Sequence, residues 1–270
     1  MMKENLEPVT ATWCQSLNLG DKVTPFLIER MTGRFPIYSE PSVEGIKLYA
    51  CGSILDWVTK DGIVWGSGIG SRSEMLTEGA SVRCVRGPYT ATVCAGEDEK
   101  AAKKTPQGDP ALLLPAYIPP SSQKQHPIGF VPHYVDQQRA YWMHWKDREE
   151  IKIINILQPI ETVVKEITEC EFIFSSALHG LIVADAYGIP NRQVNVGDDI
   201  GGDGIKFWDY FASVGRAPVM PSDCRTSREL PLKFLDRYKK RWEAEYKDDW
   251  IGQRQMDLID TCPFTEGCLK

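Results

Sequence analysis

A chain of 270 residues, 42% hydrophobic and 25% charged, exceeds one small core and suits two compact domains of roughly 100–150 residues each. This composition excludes wholesale disorder. A formal net charge of -6 argues against a surface built to neutralise nucleic-acid phosphates, while leaving room for a local cationic pocket that holds one small anion.

No run reaches the roughly 18 apolar residues that span a bilayer, and Met1 to Pro8 lacks the apolar stretch of a secretory signal. A cytoplasmic protein is therefore expected. The eight cysteines include no C-x-x-C pair and have no close histidine partner in sequence. They read as reduced, mostly buried small hydrophobes, and no metal site is expected.

Along the chain, short apolar runs closed by glycine or polar residues alternate with helical stretches. Strands are expected at residues 45–53, 62–65 and 81–86 in the first half. Pro119 to Gln125 has linker composition, so domains of residues 1–120 and 121–270 are expected. The second half repeats the rhythm, with strands at 128–131, 151–157, 171–175 and 192–196 and helices at 159–170 and 178–187. Residues 228–260 have helical spacing with many charges, as in solvated amphipathic helices. Strand and helix alternating in both halves imply an α/β fold of two domains with parallel sheets, whose ligands sit beyond the carboxyl ends of the strands.

Phe172 to Gly180 runs from a strand through small polar residues into a helix start. Unpaired amides and the helix dipole favour an anion there. Ser175 and Ser176 offer hydroxyl donors, Gly180 permits close backbone approach, and His179 on the first turn can carry a transferable proton. The alternative is a capping serine and a histidine satisfied within the helix. Gly66-Ser67-Gly68-Ile69-Gly70 lacks the G-x-G-x-x-G spacing of a dinucleotide site and reads as a tight turn. Asp198 to Gly204 looks calcium-like, but the twelfth position counted from Asp199 is Tyr210, not Glu.

Residues 175–190, Ser-Ser-Ala-Leu-His-Gly followed by Leu-Ile-Val-Ala-Asp-Ala-Tyr-Gly-Ile-Pro, resemble the signature of the polysaccharide pyruvyl transferases. Four further segments resemble that family in order: Asn18-Leu19-Gly20-Asp21, Val85-Arg86-Gly87-Pro88-Tyr89-Thr90, Gly108-Asp109-Pro110-Ala111 and Val131-Pro132-His133-Tyr134. The resemblance runs from about Asn18 to Gly215. It implies two Rossmann-like domains in a GT-B-like arrangement, with the site in the interdomain cleft. It also implies transfer of pyruvate from phosphoenolpyruvate to two hydroxyls of one sugar, leaving a cyclic ketal and releasing phosphate.

On that resemblance His179 is expected as proton donor, and His133 as a second acid/base or a phosphate ligand. Arg86, Ser175, Ser176, Leu178 and Gly180 are expected at the donor, with Arg86 as the anion clamp. Asn18, Gly20, Asp21 and Lys206 are expected at the cleft or acceptor, although Asp21 alone also fits a helix N-cap. The loop at 198–204 is expected to touch the sugar, with Phe207, Trp208 and Tyr210 beyond it; these aromatics, and Tyr141, Trp142 and Trp145, are expected mainly to pack. The chain departs from the family at Ala177, where many members carry arginine. Arg192, Arg139 and Lys206 are the candidate replacements. No cofactor is expected. The implied acceptor is a lipid-linked oligosaccharide, with peripheral association at the inner face of the membrane. Two rival readings remain open, a nucleotide-sugar glycosyltransferase of GT-B type and a degenerate member that binds glycan without turnover.

Overall fold

The computed structural model describes residues 7–137, 149–217, 219–226, 229–246 and 248–264. The first half carries strands β1 (Val9–Thr12), β2 (Pro36–Tyr38), β3 (Lys47–Tyr49), β4 (Gly62–Trp65) and β5 (Ser81–Cys84). The second carries β6 (His126–Val131), β7 (Ile151–Ile153), β8 (Cys170–Ser175), β9 (Asn191–Asn195) and β10 (Ser222–Asp223). Each set forms one five-stranded sheet, in the orders β2-β1-β3-β4-β5 and β10-β9-β8-β6-β7, and every pairing is parallel. The helices are α1 (Leu19–Thr32), α2 (Pro88–Ala95), α3 (Glu99–Lys104), α4 (Ile160–Thr168), α5 (Leu178–Ala186), α6 (Ile205–Ser213), α7 (Leu235–Glu245) and α8 (Trp250–Asp260), joined by a 3-10 helix at Pro110–Ala116. This is the expected α/β architecture, and it fits two Rossmann-like halves. No helix among the described residues is long and apolar enough to cross a membrane.

Local sequence explains the elements that carry the site. In α1 the buried residues Leu19, Gly20, Val23, Thr24, Leu27 and Ile28 fall on one helical face, and Gly33, at φ 66°, closes the helix. Strand β8 alternates: Phe172 and Phe174 join one core cluster, while Ile173 between them points into another. Strands β3 and β4 are buried throughout, as strands covered on both faces must be. Several expected runs are shorter in the structure. The run at 45–53 is strand only over Lys47–Tyr49, and the run at 151–157 only to Ile153. Asp21 lies inside the first turn of α1, whose N-cap is Asn18, so it is not the cap residue.

The halves are joined tightly. Lys22 donates from Nζ to the carbonyls of Leu157 (2.7 Å) and Gln158 (2.6 Å). Helix α8 returns from the end of the chain to the first half, where Trp65 Nε1 donates to Leu258 O at 2.9 Å and Gln255 Nε2 to Leu112 O at 2.8 Å.

The central tie is polar. Arg86, completely buried after β5, pairs through Nε with Asp209 Oδ2 of α6 at 3.2 Å and donates to Ser53 Oγ at 2.8 Å and Ile69 O at 2.6 Å. Thr90 donates to the same carboxylate from its amide (3.0 Å) and its hydroxyl (2.6 Å). A Cβ on Gly87 would lie 2.0 Å from Asp209 O, so only glycine lets α6 come this close. A Cβ on Gly68 would lie 2.4 Å from Arg86 Cζ, so the glycine-rich turn at 66–70 wraps the guanidinium. Removing one partner strands the other's charge in the core, which costs about 3–5 kcal/mol. Arg86→Ala is therefore expected to lower unfolding stability by that amount in chemical denaturation; a change under about 1 kcal/mol, the scale of an exposed pair, would show that the tie is not structural.

Candidate functional site

A cavity of about 190 Å³ opens between the halves. Asn18, Asp21 and Ser53 reach it from the first half, and His133, His179 and Lys206 from the second. Its floor includes Ala177, Leu178 and His179 at the start of α5. Ala177 is the N-cap and makes no side-chain capping bond, so the amide end of this helix presents its dipole to the cavity.

His179 is buried, at 8% exposure, and its position is set by both halves. Its Nε2 lies 3.7 Å from Asp109 Oδ2 and 3.1 Å from Cys51 Sγ. A Cβ on Gly20 would fall within 2.1–2.6 Å of the imidazole Cε1, Nδ1 and Nε2, so the ring sits directly against the backbone of α1. Asp109 is fully buried and caps the 3-10 helix by accepting from Ala111 N at 3.0 Å. Burial alone would raise its carboxyl, but the His179 contact and charge, the Ala111 amide and the Arg86 charge bring it below the ordinary carboxylate value. An ionised Asp109 therefore faces the imidazole. Asp21 also lies near this ring. Burial raises its carboxyl above the ordinary value, against the opposing effects of the Ser16 hydroxyl bond and the His179 charge.

Lys206 is the one lysine or arginine among the described residues lining this cavity. Its Nζ donates to Gly201 O at 3.2 Å. Burial, with the Arg86 charge nearby, lowers its ammonium to about 8. Burial, reinforced by the Lys206 and His179 charges, lowers His133 to about 4, so this imidazole is neutral near pH 7. Val135 N points to His133 Nδ1 at 3.5 Å, which places the ring proton of the neutral form on Nε2. A second cavity of about 280 Å³ adjoins the first and shares Lys206 with it. Asp198, Asp203, Gln193 and Trp208 line it, and Gln193 Oε1 is buried there without a hydrogen-bond partner.

With this geometry in place, the model of the polysaccharide pyruvyl transferase family matches residues 45–192, more than half of the chain. The chain belongs to the polysaccharide pyruvyl transferase family. It is similar to the succinoglycan biosynthesis protein ExoV of Rhizobium meliloti, 25% identical over 252 residues that cover 89% of this chain and 76% of that one. It is also similar to an uncharacterized protein of Acanthamoeba polyphaga mimivirus, 27% identical over 210 residues that cover 74% of this chain and 72% of that one. Among solved structures it is similar to a functionally uncharacterized protein of Klebsiella pneumoniae, with a TM-score of 0.42 and 12% identity over 77% of this chain and 88% of that chain.

Several residues of the family-like motifs have work other than the expected ligand contact. Arg86 is not an open anion clamp, because its fork is spent on Asp209, Ser53 and Ile69. Among the cavity's lining residues it bonds to Ser53. Ser175 accepts from Ala177 N at 3.0 Å and faces the Val131 carbonyl at 2.7 Å. Ser176 accepts from His133 N at 2.9 Å and donates to Asp136 Oδ2 at 2.8 Å. These serines build the turn and position His133. Gly180 is small for packing, since a Cβ there would meet Ser175 Oγ at 2.4 Å and Val131 Cβ at 2.9 Å. Arg192 donates to Met220 O and Ser222 Oγ and lies outside the cavity lining. Arg139, Tyr141, Trp142 and Trp145 lie outside the described residues. Of the candidate replacements for the arginine absent at Ala177, Lys206 is the one found in this cavity. Tyr210 is buried and donates to Asp185 Oδ2 at 2.8 Å, a packing role.

Two residues beside His179 escaped the sequence reading. Asp109 was visible as part of a motif, but nothing local pointed it at a histidine 70 positions away. Cys51 carried no spacing signal at all. Substituting Gly20→Ala forces the His179 ring to move. Misplacement on the ångström scale costs about 10²-fold in rate, so turnover is expected to fall by about that factor while the circular-dichroism spectrum stays native; unchanged turnover would contradict the seating of His179 on α1.

Proposed function

We propose that the chain transfers pyruvate from phosphoenolpyruvate to two hydroxyls of one sugar in a polysaccharide precursor, forming a cyclic ketal and releasing phosphate. The observation that carries the reading is the meeting of His179, backed by Asp109, with Lys206 and the start of α5 at one cavity between the halves. Phosphoenolpyruvate brings a phosphate and a carboxylate. The ammonium of Lys206 and the amide end of α5 supply positive potential for them, and the neutral His133 can donate from Nε2.

In this reading His179, in its imidazolium form beside ionised Asp109, protonates the methylene carbon of the donor. The enol carbon becomes oxocarbenium-like, and one sugar hydroxyl adds to it, giving up its proton to Asp21. The second hydroxyl then replaces the phosphate group, which leaves as inorganic phosphate. One proton is added to carbon, two leave the hydroxyls, and the surplus departs with the phosphate. Proton transfer suffices for this balance, so no cofactor is proposed. The adjoining 280 Å³ cavity, with Trp208 and the carboxylates of Asp198 and Asp203, is the proposed place of the acceptor. We place the reaction in the cytoplasm on a lipid-linked oligosaccharide at the inner membrane face.

Phosphate release from phosphoenolpyruvate in the presence of acceptor tests the reading, and His179→Ala is expected to reduce it about 10²–10⁴-fold. Full activity in that variant would remove His179 from the chemistry. Nucleoside diphosphate release from a nucleotide sugar would indicate glycosyl transfer instead, and acceptor binding without turnover of either donor would indicate a degenerate member. The pH dependence is a separate test. Lys206 is charged below about 8 and loses its proton above it, so kcat/KM for phosphoenolpyruvate is expected to fall as pH rises through that value. In Lys206→Arg the fall is expected to disappear, because arginine remains charged; a profile unchanged in that variant would exclude Lys206 as the donor's cation.

A further inference from the structure

Cys51, Asp109 and His179 bring a thiol, a carboxylate and an imidazole to one buried point. Cys51 Sγ lies 3.1 Å from His179 Nε2 and 3.5 Å from Asp109 Oδ1, and His179 Nε2 lies 3.7 Å from Asp109 Oδ2. Ligand bonds of about 2.0–2.3 Å at tetrahedral angles separate neighbouring donor atoms by about 3.3–3.6 Å. The separations of 3.1–3.7 Å bracket that range, with the thiol facing Oδ1 and the imidazole Oδ2 of the same carboxylate, so a small adjustment of these side chains brings all three groups to one ion.

Hydrogen bonding does not exhaust the cluster. The bond from the thiol to Asp109 Oδ1 is long, at 3.5 Å, and Asp109 Oδ2 is buried with no hydrogen-bond partner. A bound cation would satisfy both the carboxylate oxygen and the sulfur. The supporting contacts also restrain the donors. Asp109 is held by Ala111 N, and His179 is seated against Gly20. The donor set is one sulfur, one nitrogen and one oxygen. It suits a borderline-soft divalent ion of the zinc class and not magnesium or calcium, which take oxygen ligands.

We propose that Cys51, Asp109 and His179 form a binding site for a zinc-class divalent cation. Binding forms one bond to each of Sγ, Nε2 and a carboxylate oxygen, and releases the thiol proton to solvent. Burial, with the Asp109 charge, pushes the Cys51 thiol up, so proton release accompanies occupancy near neutral pH. Three protein ligands leave a fourth position open. An imidazole coordinated through Nε2 cannot also be an imidazolium, so the ion inhibits pyruvyl transfer; this second half rests on the function proposed above, whereas the site itself does not.

The test uses the full, metal-free, reduced chain titrated with cobalt(II), followed by zinc. Wild type is expected to bind one cobalt with a thiolate-to-metal charge-transfer band and the intense visible bands of four-coordination, and zinc is expected to abolish them. Cys51→Ala, with native circular dichroism, is expected to lose the charge-transfer band and at least tenfold in affinity. Asp109→Asn is expected to weaken binding while retaining that band. Absence of the band in wild type, or its persistence in Cys51→Ala, overturns the site. Zinc that displaces cobalt but leaves phosphate release undiminished overturns the inhibition alone. A metal-free chain with no phosphate release refutes the pyruvyl reading and the inhibition with it, while the cobalt spectrum still decides the site.

Discussion

Arg86 and Asp209 meet at 3.2 Å in the joint between the two sheets, where neither side chain touches water. Two charges removed from solvent hold together only if their remaining hydrogen-bonding groups are also engaged. Here Ser53, Ile69 and both donors of Thr90 take part. The geometry they impose places β5 and the start of α2 against α6, and so fixes where the second half lies relative to the first. The seat of His179 in the cavity depends on that placement, because its contacts with Asp109, Cys51 and Gly20 cross the joint.

His179 illustrates the dependence. Its helix belongs to the second half, yet Asp109, Cys51 and Gly20 all come from the first. The glycines supply space, their missing Cβ giving way to a neighbour's side chain or carbonyl. Gly20 receives an imidazole, Gly68 a guanidinium and Gly87 the carbonyl of Asp209. The motif-like segments are thus as much about joining the halves as about holding ligand. A site built this way gains low-dielectric surroundings for proton transfer, and the shifts at Asp109, His133 and Lys206 follow from burial combined with the few charges the joint brings together.

The alternation of strand and helix was legible because buried parallel strands and amphipathic helices have different periods, and α4 with β8 carries both signals, α4 burying Ile160, Val163, Val164 and Ile167 on one face. Strands β1 and β2 were not read, being four and three residues long and without a closing glycine pattern. The structure brings His179, His133, Asn18, Asp21 and Lys206 to one cavity, the first four of them from the family-like segments. The pairing of Arg86 with Asp209 was not legible, because arginine suits a buried carboxylate as well as a ligand phosphate, and Asp209 lies 123 positions away. The same distance problem hid Cys51 and the role of Asp109. Local sequence encodes turns and faces, but not which buried charge meets which.

The central claim is that this joint holds a centre which moves a pyruvyl group onto two oxygens of one sugar. Carbon NMR of the reaction with phosphoenolpyruvate labelled at its enol carbon tests it most directly, using a lipid-linked oligosaccharide acceptor. The account predicts a product signal from a ketal carbon bonded to two sugar oxygens, growing in step with inorganic phosphate. Phosphate release with the label recovered only as free pyruvate, or consumption of a nucleotide sugar while the label stays in phosphoenolpyruvate, would contradict it.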